Sequence, residues 1–400
     1  MAVAALPTPA LAGEVLVVDG SQALRRDDPL VPARAVSDLP SPPPSGTAPP
    51  VAAAASRQGE RAVERALRTA VRSRRLGAGR GRALTRAYRH ALALARRLPA
   101  RRAVELRYVV GALERLALSG RLIPSRIPVA FAQLERNARY WPRLPFPAAG
   151  DRVSFRGSEV LYQYFPGRGL QLHPLGTFIK ANLIHSACVK RDARCRPAAL
   201  AGLLDEMSRY AAWRGRSFVA WEYAFYFGGG SPPWMSGMAQ ATAIQALARA
   251  GGLLGRPRYV DLARAALGAF ETPPPLGVRT RGPHGGIHYL QYSFASRLFI
   301  FNAFTQSLLG LRDFAQLTGD PRAGGLFSLA EPELRRELPD SDTGSWSRYS
   351  YRGRASTPEY HELLREVLQG MCDRRVADVY CDYATRYRSY QERRASAARP

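Results

Sequence analysis

The sequence is nearly free of lysine. Lys180 and Lys190 are the only two, which leaves 56 arginines among the 58 basic residues, and the formal net charge is +26. A field of this sign attracts polyanions, a class that includes nucleic acid, an anionic membrane surface and an acidic glycan. Arginine in place of lysine is also typical of a GC-rich genome. A basic, solvated surface that reflects codon usage is therefore the plain alternative to a ligand-binding surface.

The signatures of several function classes are absent. The sequence contains no GxSxG elbow, Walker loop, GxGxxG motif or HExxH motif. It has no zinc-finger spacing, no ribonucleoprotein-type aromatic motif and no basic region followed by heptads, so nucleic acid is not the expected partner. The six histidines do not cluster at metal-ligand spacing. We expect neither a metal nor an organic cofactor.

Cysteine is scarce, and its four copies form two local pairs. Cys188 and Cys195 are one pair, and Cys372 and Cys381 are the other. Neither pair has CxxC spacing, and no histidine pair completes a zinc site. Two local disulfides in an oxidising compartment are the favoured interpretation, although four cysteines allow three pairings and buried free thiols stay an alternative.

Long apolar runs are missing, so we expect no stable membrane insertion. The first residues end in Ala10-Leu11-Ala12, which looks like the small-residue end of a signal peptide without its positive n-region. From this start and the paired cysteines we expect a secreted or cell-surface protein with a truncated signal peptide.

Three segments differ in composition. Residues 1–58 combine the possible signal remnant with a Pro-rich linker over 21–58, and residues 59–145 form an Arg-rich segment with three or four helices. Residues 146–400 alternate helices with aromatic, glycine-containing loops, after short extended pieces over 150–180. This rhythm predicts a mainly α fold, an α/α barrel or toroid with short β-hairpin elements in the loops, where the loops gather into a cleft at one end.

Four motifs in the C-terminal part appear in the order of a known family. They are SPPWMSGMAQATAIQALARA, YSFASRLFIFNAFTQSLLGLRDFAQLTGD, DTGSWSRYSYR and PEYHELLREVLQ. The motifs resemble the D-glucuronyl C5-epimerases of heparan sulfate synthesis, and the similarity covers roughly residues 230–392. The chain is identified as a bacterial-type homologue of the catalytic C-terminal domain of that family. The resemblance implies a carbohydrate epimerase that acts on uronates of an acidic, heparosan-like polysaccharide, and a possible homodimer.

The resemblance also implies the site. Tyr292, Tyr349 and Tyr360 stand at the positions of the family's functional tyrosines, and we expect them to be catalytic. His288 and His361 gain interest because each lies near one of these tyrosines. Substrate contacts are expected from seven further residues: Arg352, Arg348, Arg297, Asn302, Gln291, Gln240 and Trp234.

One position departs from the family pattern. The family has a glutamate immediately before the first tyrosine, whereas this chain has Gln291, and a neutral amide cannot act as a base. Glu222 or Glu359 would be the substitutes. Two alternatives to epimerisation therefore stay open: a uronate lyase, which removes the same C5 proton, and a non-catalytic protein that binds acidic glycans.

Overall fold

Helices form most of the residues that the computed structural model describes, which are 13–31 and 57–397. Four come first in the chain: α1 (Arg57–Arg72), α2 (Ala78–Arg97), α3 (Ala100–Leu118) and α4 (Ile127–Tyr140). Eight follow: α5 (Pro174–Val189), α6 (Pro197–Tyr210), α7 (Gly237–Leu254), α8 (Pro257–Ala266), α9 (Phe301–Thr318), α10 (Pro321–Ser341), α11 (Pro358–Asp373) and α12 (Asp378–Ala397). The mainly α prediction is confirmed.

The eight later helices form two layers. Helices α5, α7, α9 and α11 pack side by side as an inner row. Each of them also packs against the helix that follows it, so that α6, α8, α10 and α12 lie outside. The inner helices are therefore parallel to one another, and the loops that precede them meet at one end of the row. Closure of this row into a ring stays a prediction.

A five-stranded sheet joins the start of the chain to its middle. Its strands are β1 (Gly13–Asp19), β2 (Gln22–Asp28), β3 (Arg152–Phe155), β4 (Tyr162–Phe165) and β5 (Gly169–Leu172), in the order β2-β1-β3-β4-β5. Residues 21–31, which we predicted to be linker, lie in or beside this sheet, with Leu30 and Val31 buried. The rest of that linker, 32–56, and the signal-like residues 1–12 lie outside the described residues. The proposed boundary at residue 145 stays a prediction.

Three short hairpins lie in the loops before the inner helices, as the sequence predicted. Their strands are β6 (Ala212–Arg214) with β7 (Phe218–Ala220), β8 (Glu222–Tyr223) with β9 (Trp234–Met235), and β10 (Arg279–Arg281) with β11 (Ile287–Tyr289). Capping residues define where the helices begin. Ser236 caps α7 by accepting from the Ala239 amide at 3.1 Å, and the Thr357 side chain accepts from the Tyr360 amide at the start of α11.

Both predicted disulfides are confirmed. Cys188 is bonded to Cys195, with their Cα atoms 4.3 Å apart, and Cys372 is bonded to Cys381, with their Cα atoms 4.8 Å apart. The first links the end of α5 to the turn before α6, and the second links α11 to α12. The two crosslinks therefore tie the first and the last inner helices to the outer layer.

A buried ionic network holds the far end of the inner row. Asp313 of α9 accepts hydrogen bonds from Arg249 of α7 at 2.7 Å and from Arg374, just after α11, at 2.6 and 2.8 Å. Arg249 also donates to Asn182 of α5 at 2.9 Å. All four inner helices are thus joined through one carboxylate and two guanidinium groups, at the end opposite the loops described next.

Candidate functional site

An aromatic cluster covers the N-terminal ends of the inner helices. It contacts early residues of each of them, namely Leu175, Met238, Ala303 and Leu363. Its buried rings are Tyr108, Phe165, Tyr223, Phe225, Phe227, Trp234 and Tyr292, with Tyr226, Phe294 and Tyr349 half-buried at its edge. Because helix N-termini carry partial positive charge, this end of the row favours a negatively charged ligand.

Tyr292 is placed by a short pairing between two loops. The Ser293 amide donates to the Met235 carbonyl at 3.0 Å, and the Gly237 amide donates to the Gln291 carbonyl at 3.1 Å. A Cβ atom at Gly237 would lie 2.3 Å from the Leu290 carbonyl oxygen, so this close approach needs glycine. The Tyr292 ring packs at 5.4 Å from Phe294 between centroids and is nearly parallel to it.

Tyr349 lies in the loop before α11 and meets Tyr360 on the first turn of that helix. Their ring centroids are 4.8 Å apart. The Tyr349 amide donates to the Arg354 carbonyl at 3.1 Å, and its own carbonyl accepts from the Phe301 amide at 3.4 Å. This loop is therefore fixed to the start of α9, which follows Tyr292. The fold gathers all three tyrosines from separate segments: Tyr292 and Tyr349 into the aromatic cluster, and Tyr360 against Tyr349.

His361 is a buried residue that supports the loop of Tyr349. The Ser347 amide donates to His361 Nδ1 at 3.1 Å, and Nε2 lies 3.0 Å from the Tyr387 carbonyl oxygen, to which it can donate. The ring stacks on Trp346 with centroids 3.6 Å apart. Burial lowers the pKa of His361, so the ring is neutral and matches these bonds. It holds the Tyr349 loop in place.

His288 is equally internal. Its Nδ1 lies 2.8 Å from a carboxylate oxygen of Glu337, and both side chains are fully buried. The ring packs against Phe304 of α9. Both histidines that attracted interest in the sequence are therefore part of the framework next to the tyrosine loops.

The three expected arginines lie in the tyrosine loops and differ in their surroundings. Arg348 donates to the Gly353 carbonyl at 3.1 Å and closes its own loop. Arg352 is exposed, has a left-handed backbone (φ 54°) and stacks its guanidinium 5.2 Å over the ring of Tyr351. Arg297 is exposed. Each therefore lies in a loop that borders the cluster.

The remaining expected contacts divide into two kinds. Gln291 is buried next to Tyr292 in the chain, and Asn302 is buried on the first turn of α9. Gln240 is structural instead: it donates to the Val219 carbonyl at 2.7 Å and is 1% exposed. Trp234 stacks on Tyr223 at 4.1 Å and donates to the Phe225 carbonyl, so it builds the wall of the cluster. The contacts of Gln240 and Trp234 are thus with the protein itself, and a substrate contact from either stays a prediction.

The two glutamates that could replace the family's base also differ. Glu222 is buried and accepts three hydrogen bonds, from Arg126 at 2.6 and 2.9 Å and from Arg214 at 2.7 Å. Both oxygens of this carboxylate are therefore engaged by guanidinium groups. Glu359 is exposed on the first turn of α11, one residue before Tyr360.

The sequence missed the contribution of the N-terminal helices to the site. Tyr108 of α3 is buried in the aromatic cluster, where its hydroxyl accepts from the Tyr226 amide at 2.9 Å. A single tyrosine on a helix gives no sign in the sequence of this long-range contact.

Comparison with known proteins finds a family that the C-terminal part of the chain matches. Residues 214–389 match the family described as D-glucuronyl C5-epimerase C-terminus. An uncharacterized protein of Methanocaldococcus jannaschii is 25% identical over 178 residues, which are 43% of this chain and 58% of that protein. The D-glucuronyl C5-epimerase of Caenorhabditis elegans is 32% identical over 133 residues, which are 30% of this chain and 22% of that protein. The chain thus covers less than two thirds of either relative.

Two solved structures are similar at a low level. An endo-beta-1,4-glucanase from Acetobacter xylinum has a TM-score of 0.37 and 15% identity, with 54% of this chain and 67% of that chain covered. A D-mannose isomerase has a TM-score of 0.38 and 11% identity, with 72% and 74% covered. Both scores are too low to bear on fold or function. Within the described residues, no helix is long and apolar enough to cross a membrane.

Proposed function

We propose that the protein epimerises uronate residues of an acidic polysaccharide at C5, because residues 214–389 match the family described as D-glucuronyl C5-epimerase C-terminus. The reaction would convert D-glucuronate to L-iduronate, or a similar uronate pair. The observation that carries the proposal is the gathering of Tyr292, Tyr349 and Tyr360 at one end of the inner helix row.

The chemistry explains why tyrosines suit this site. The C5 hydrogen of a uronate lies next to a carboxylate, so its removal creates an enolate-like dianion. One group must take the proton, and another must return a proton to the opposite face of the sugar. Tyr292 comes from the loop before α9, whereas Tyr349 and Tyr360 belong to the loop and first turn of α11. We propose that the sugar ring lies between Tyr292 and the Tyr349–Tyr360 pair.

Stabilisation of the dianion needs positive charge near the carboxylate. The N-terminal ends of the inner helices supply partial positive charge, and Arg297, Arg348 and Arg352 lie in the surrounding loops. Guanidinium groups can grip a carboxylate through two parallel hydrogen bonds. This neutralisation would also make a phenolate base accessible. The proposed reaction uses no metal and no organic cofactor.

Gln291 favours a second candidate, a protein that binds acidic glycans without catalysis. In this chain an amide stands where the family has a glutamate, and Glu222 is occupied by two arginines. A uronate lyase is the close rival, since it removes the same proton and then expels the sugar linked at O4.

We further propose that the protein is secreted, because its two disulfides suit an oxidising compartment.

One experiment separates these functions. The protein is incubated with a glucuronate–N-acetylglucosamine polymer in deuterated water, and the product is examined by NMR at C5 and by ultraviolet absorbance. We expect deuterium at C5 together with iduronate signals and no new absorbance. An unsaturated, absorbing product would assign the lyase instead, and an unlabelled polymer that nevertheless binds would assign the non-catalytic protein.

A further inference from the structure

Arg115 of α3 has an unusual environment for a cation. Its guanidinium carbon lies 5.5 Å from the ring centroid of Tyr108 and 5.4 Å from that of Tyr226. Its Nε and Nη2 atoms are buried and have no hydrogen-bond partner among the described residues. Stacking on two rings offsets part of the desolvation of the charge, but it leaves these donors without an acceptor.

Arg168 is a second arginine that acts on Tyr108 and has a buried donor. It lies in the turn between β4 and β5, and its Nε is also buried without a partner among the described residues. Burial raises the pKa of Tyr108, and the charges of both Arg115 and Arg168 oppose this shift, so both guanidinium groups act on the same phenol. No acidic side chain of the described chain forms an ion pair with either arginine.

The turn that carries Arg168 is held firmly. The carboxylate of Glu105 accepts from the Gly167 amide at 2.9 Å and from the Gly169 amide at 2.7 Å. Gly169 has a φ of 73°, and a Cβ atom there would lie 2.6 Å from Asn137 Oδ1. Because α3 provides both Glu105 and Arg115, one helix fixes both cations relative to each other.

Two like charges around one buried phenol repel each other, and buried donors without acceptors cost free energy. A carboxylate or sulfate between them would remove both penalties, since guanidinium groups bind such oxyanions through strong charge-assisted hydrogen bonds. Tyr108 and Tyr226 belong to the aromatic cluster that also contains Tyr292. An anion held here would therefore lie beside the proposed reaction site.

We propose that Arg115 and Arg168 form a subsite for the carboxylate or sulfate of a sugar residue that flanks the reacting uronate. This inference rests on the proposed function for the identity of the ligand. Both residues lie outside the family match of 214–389, so the N-terminal part of the chain would supply a substrate contact that the family region does not contain.

Equilibrium binding of a defined oligosaccharide tests the subsite. The probe is a glucuronate–N-acetylglucosamine octasaccharide, measured by calorimetry against the full chain and the variants Arg115→Gln and Arg168→Gln. Arg107→Gln is the matched control, because Arg107 is an exposed residue of the same helix and its loss changes the net charge equally. We expect at least about tenfold weaker binding for each test variant, from the loss of a charge-assisted contact. For the control we expect a change of less than about twofold.

Further arms define the ligand and guard against misfolding. A carboxyl-reduced octasaccharide should bind the parent and Arg115→Gln equally, and Arg115→Lys should recover part of the affinity. The inference would be overturned if Arg115→Gln and Arg168→Gln bound the octasaccharide with the same affinity as Arg107→Gln. It would also be overturned if a DNA oligonucleotide of the same charge bound as tightly as the octasaccharide and lost the same affinity in Arg115→Gln. Should Arg115→Gln fail to fold, Arg168→Gln carries the same test on a different element.

Catalytic measurements separate this inference from the proposed function. In the C5 exchange assay, the loss of Arg115 should raise KM rather than lower kcat, because a flanking sugar is bound equally in ground and transition states. A parent protein that shows no exchange but has Arg115-dependent oligosaccharide binding would refute the reaction and keep the subsite. Exchange with an unaltered KM in Arg115→Gln would refute the subsite and keep the reaction.

Discussion

Replacement of Glu222 by glutamine should destabilise the protein strongly, because this carboxylate joins two parts of the fold. It accepts two hydrogen bonds from Arg126, which immediately precedes α4, and one from Arg214 in β6. Both partners have little exposure, with side-chain values of 11% and 5%. Arg214 also donates to the carbonyls of Leu276 and Pro275 at 2.7 Å, so its position organises the loop before β10.

The size of the effect follows from the charges that remain. Glutamine keeps the shape and one acceptor, but it leaves two poorly solvated guanidinium groups without their counter-ion. Removal of one partner of a buried ion pair costs about 3–5 kcal/mol. Because the amide oxygen still accepts one bond, we expect the lower end of that range, about 3 kcal/mol of the free energy of unfolding.

Denaturant unfolding at neutral pH measures this loss, with Glu359→Gln as the control. Glu359 is exposed and should change stability by less than about 0.5 kcal/mol. A Glu222→Gln protein of unchanged stability would refute the structural role. A variant that is fully stable but inactive in C5 exchange would instead make Glu222 the missing base.

Three further outcomes are expected. Tyr349→Phe and Tyr360→Phe should each keep the fold and lower C5 exchange by about a hundredfold, the scale of a lost acid or base; parental rates would remove them from the site. Gln291→Glu should raise the exchange rate if a carboxylate at this position assists proton removal, and an unchanged or lower rate would show that the tyrosines act without it. Burial and the neighbouring Glu362 raise the pKa of Glu366 to about 7, above its ordinary 4.5. The contribution of Glu366 to the free energy of unfolding is therefore complete below about pH 4.5 and is lost as the pH rises through 7. Glu366→Gln should therefore flatten the decline in melting temperature between pH 5 and 8, and an unaltered slope would contradict the shift.

Most helices of residues 146–400 were predictable from the sequence, whereas α5 was not. Apolar spacing in the sequence indicates helices over 197–213 and 358–371, and α6 and α11 lie there. Helix α5 was missed because residues along most of its length are buried, so its sequence PLGTFIKANLIHSACV shows no polar stripe with a period of 3.6. The β1–β2 hairpin was also missed, since its pairing partner β3 lies more than a hundred residues further along the chain.

The candidate site residues were also predictable only in part. The four motifs singled out three tyrosines that the fold brings to one end of the inner row, and their catalytic role stays a prediction. The motifs carry no information on which side chains are packed inside the protein, as Gln240 and Trp234 are. Nor could they find Tyr108, whose role depends on the packing of α3 against a loop more than a hundred residues away.

The two ends of the inner row have complementary properties that suit the proposed chemistry. At the C-terminal ends, Asp313 forms ion pairs with Arg249 and Arg374 and locks the helices together. At the N-terminal ends, the amide dipoles point into an aromatic environment, and the loop arginines lie around it. A polyanion bound at the N-terminal ends would therefore gain electrostatic energy, because the surrounding rings exclude water and strengthen each charge. The rigid far end keeps the loops in register, so that phenols from separate segments can act on one sugar ring.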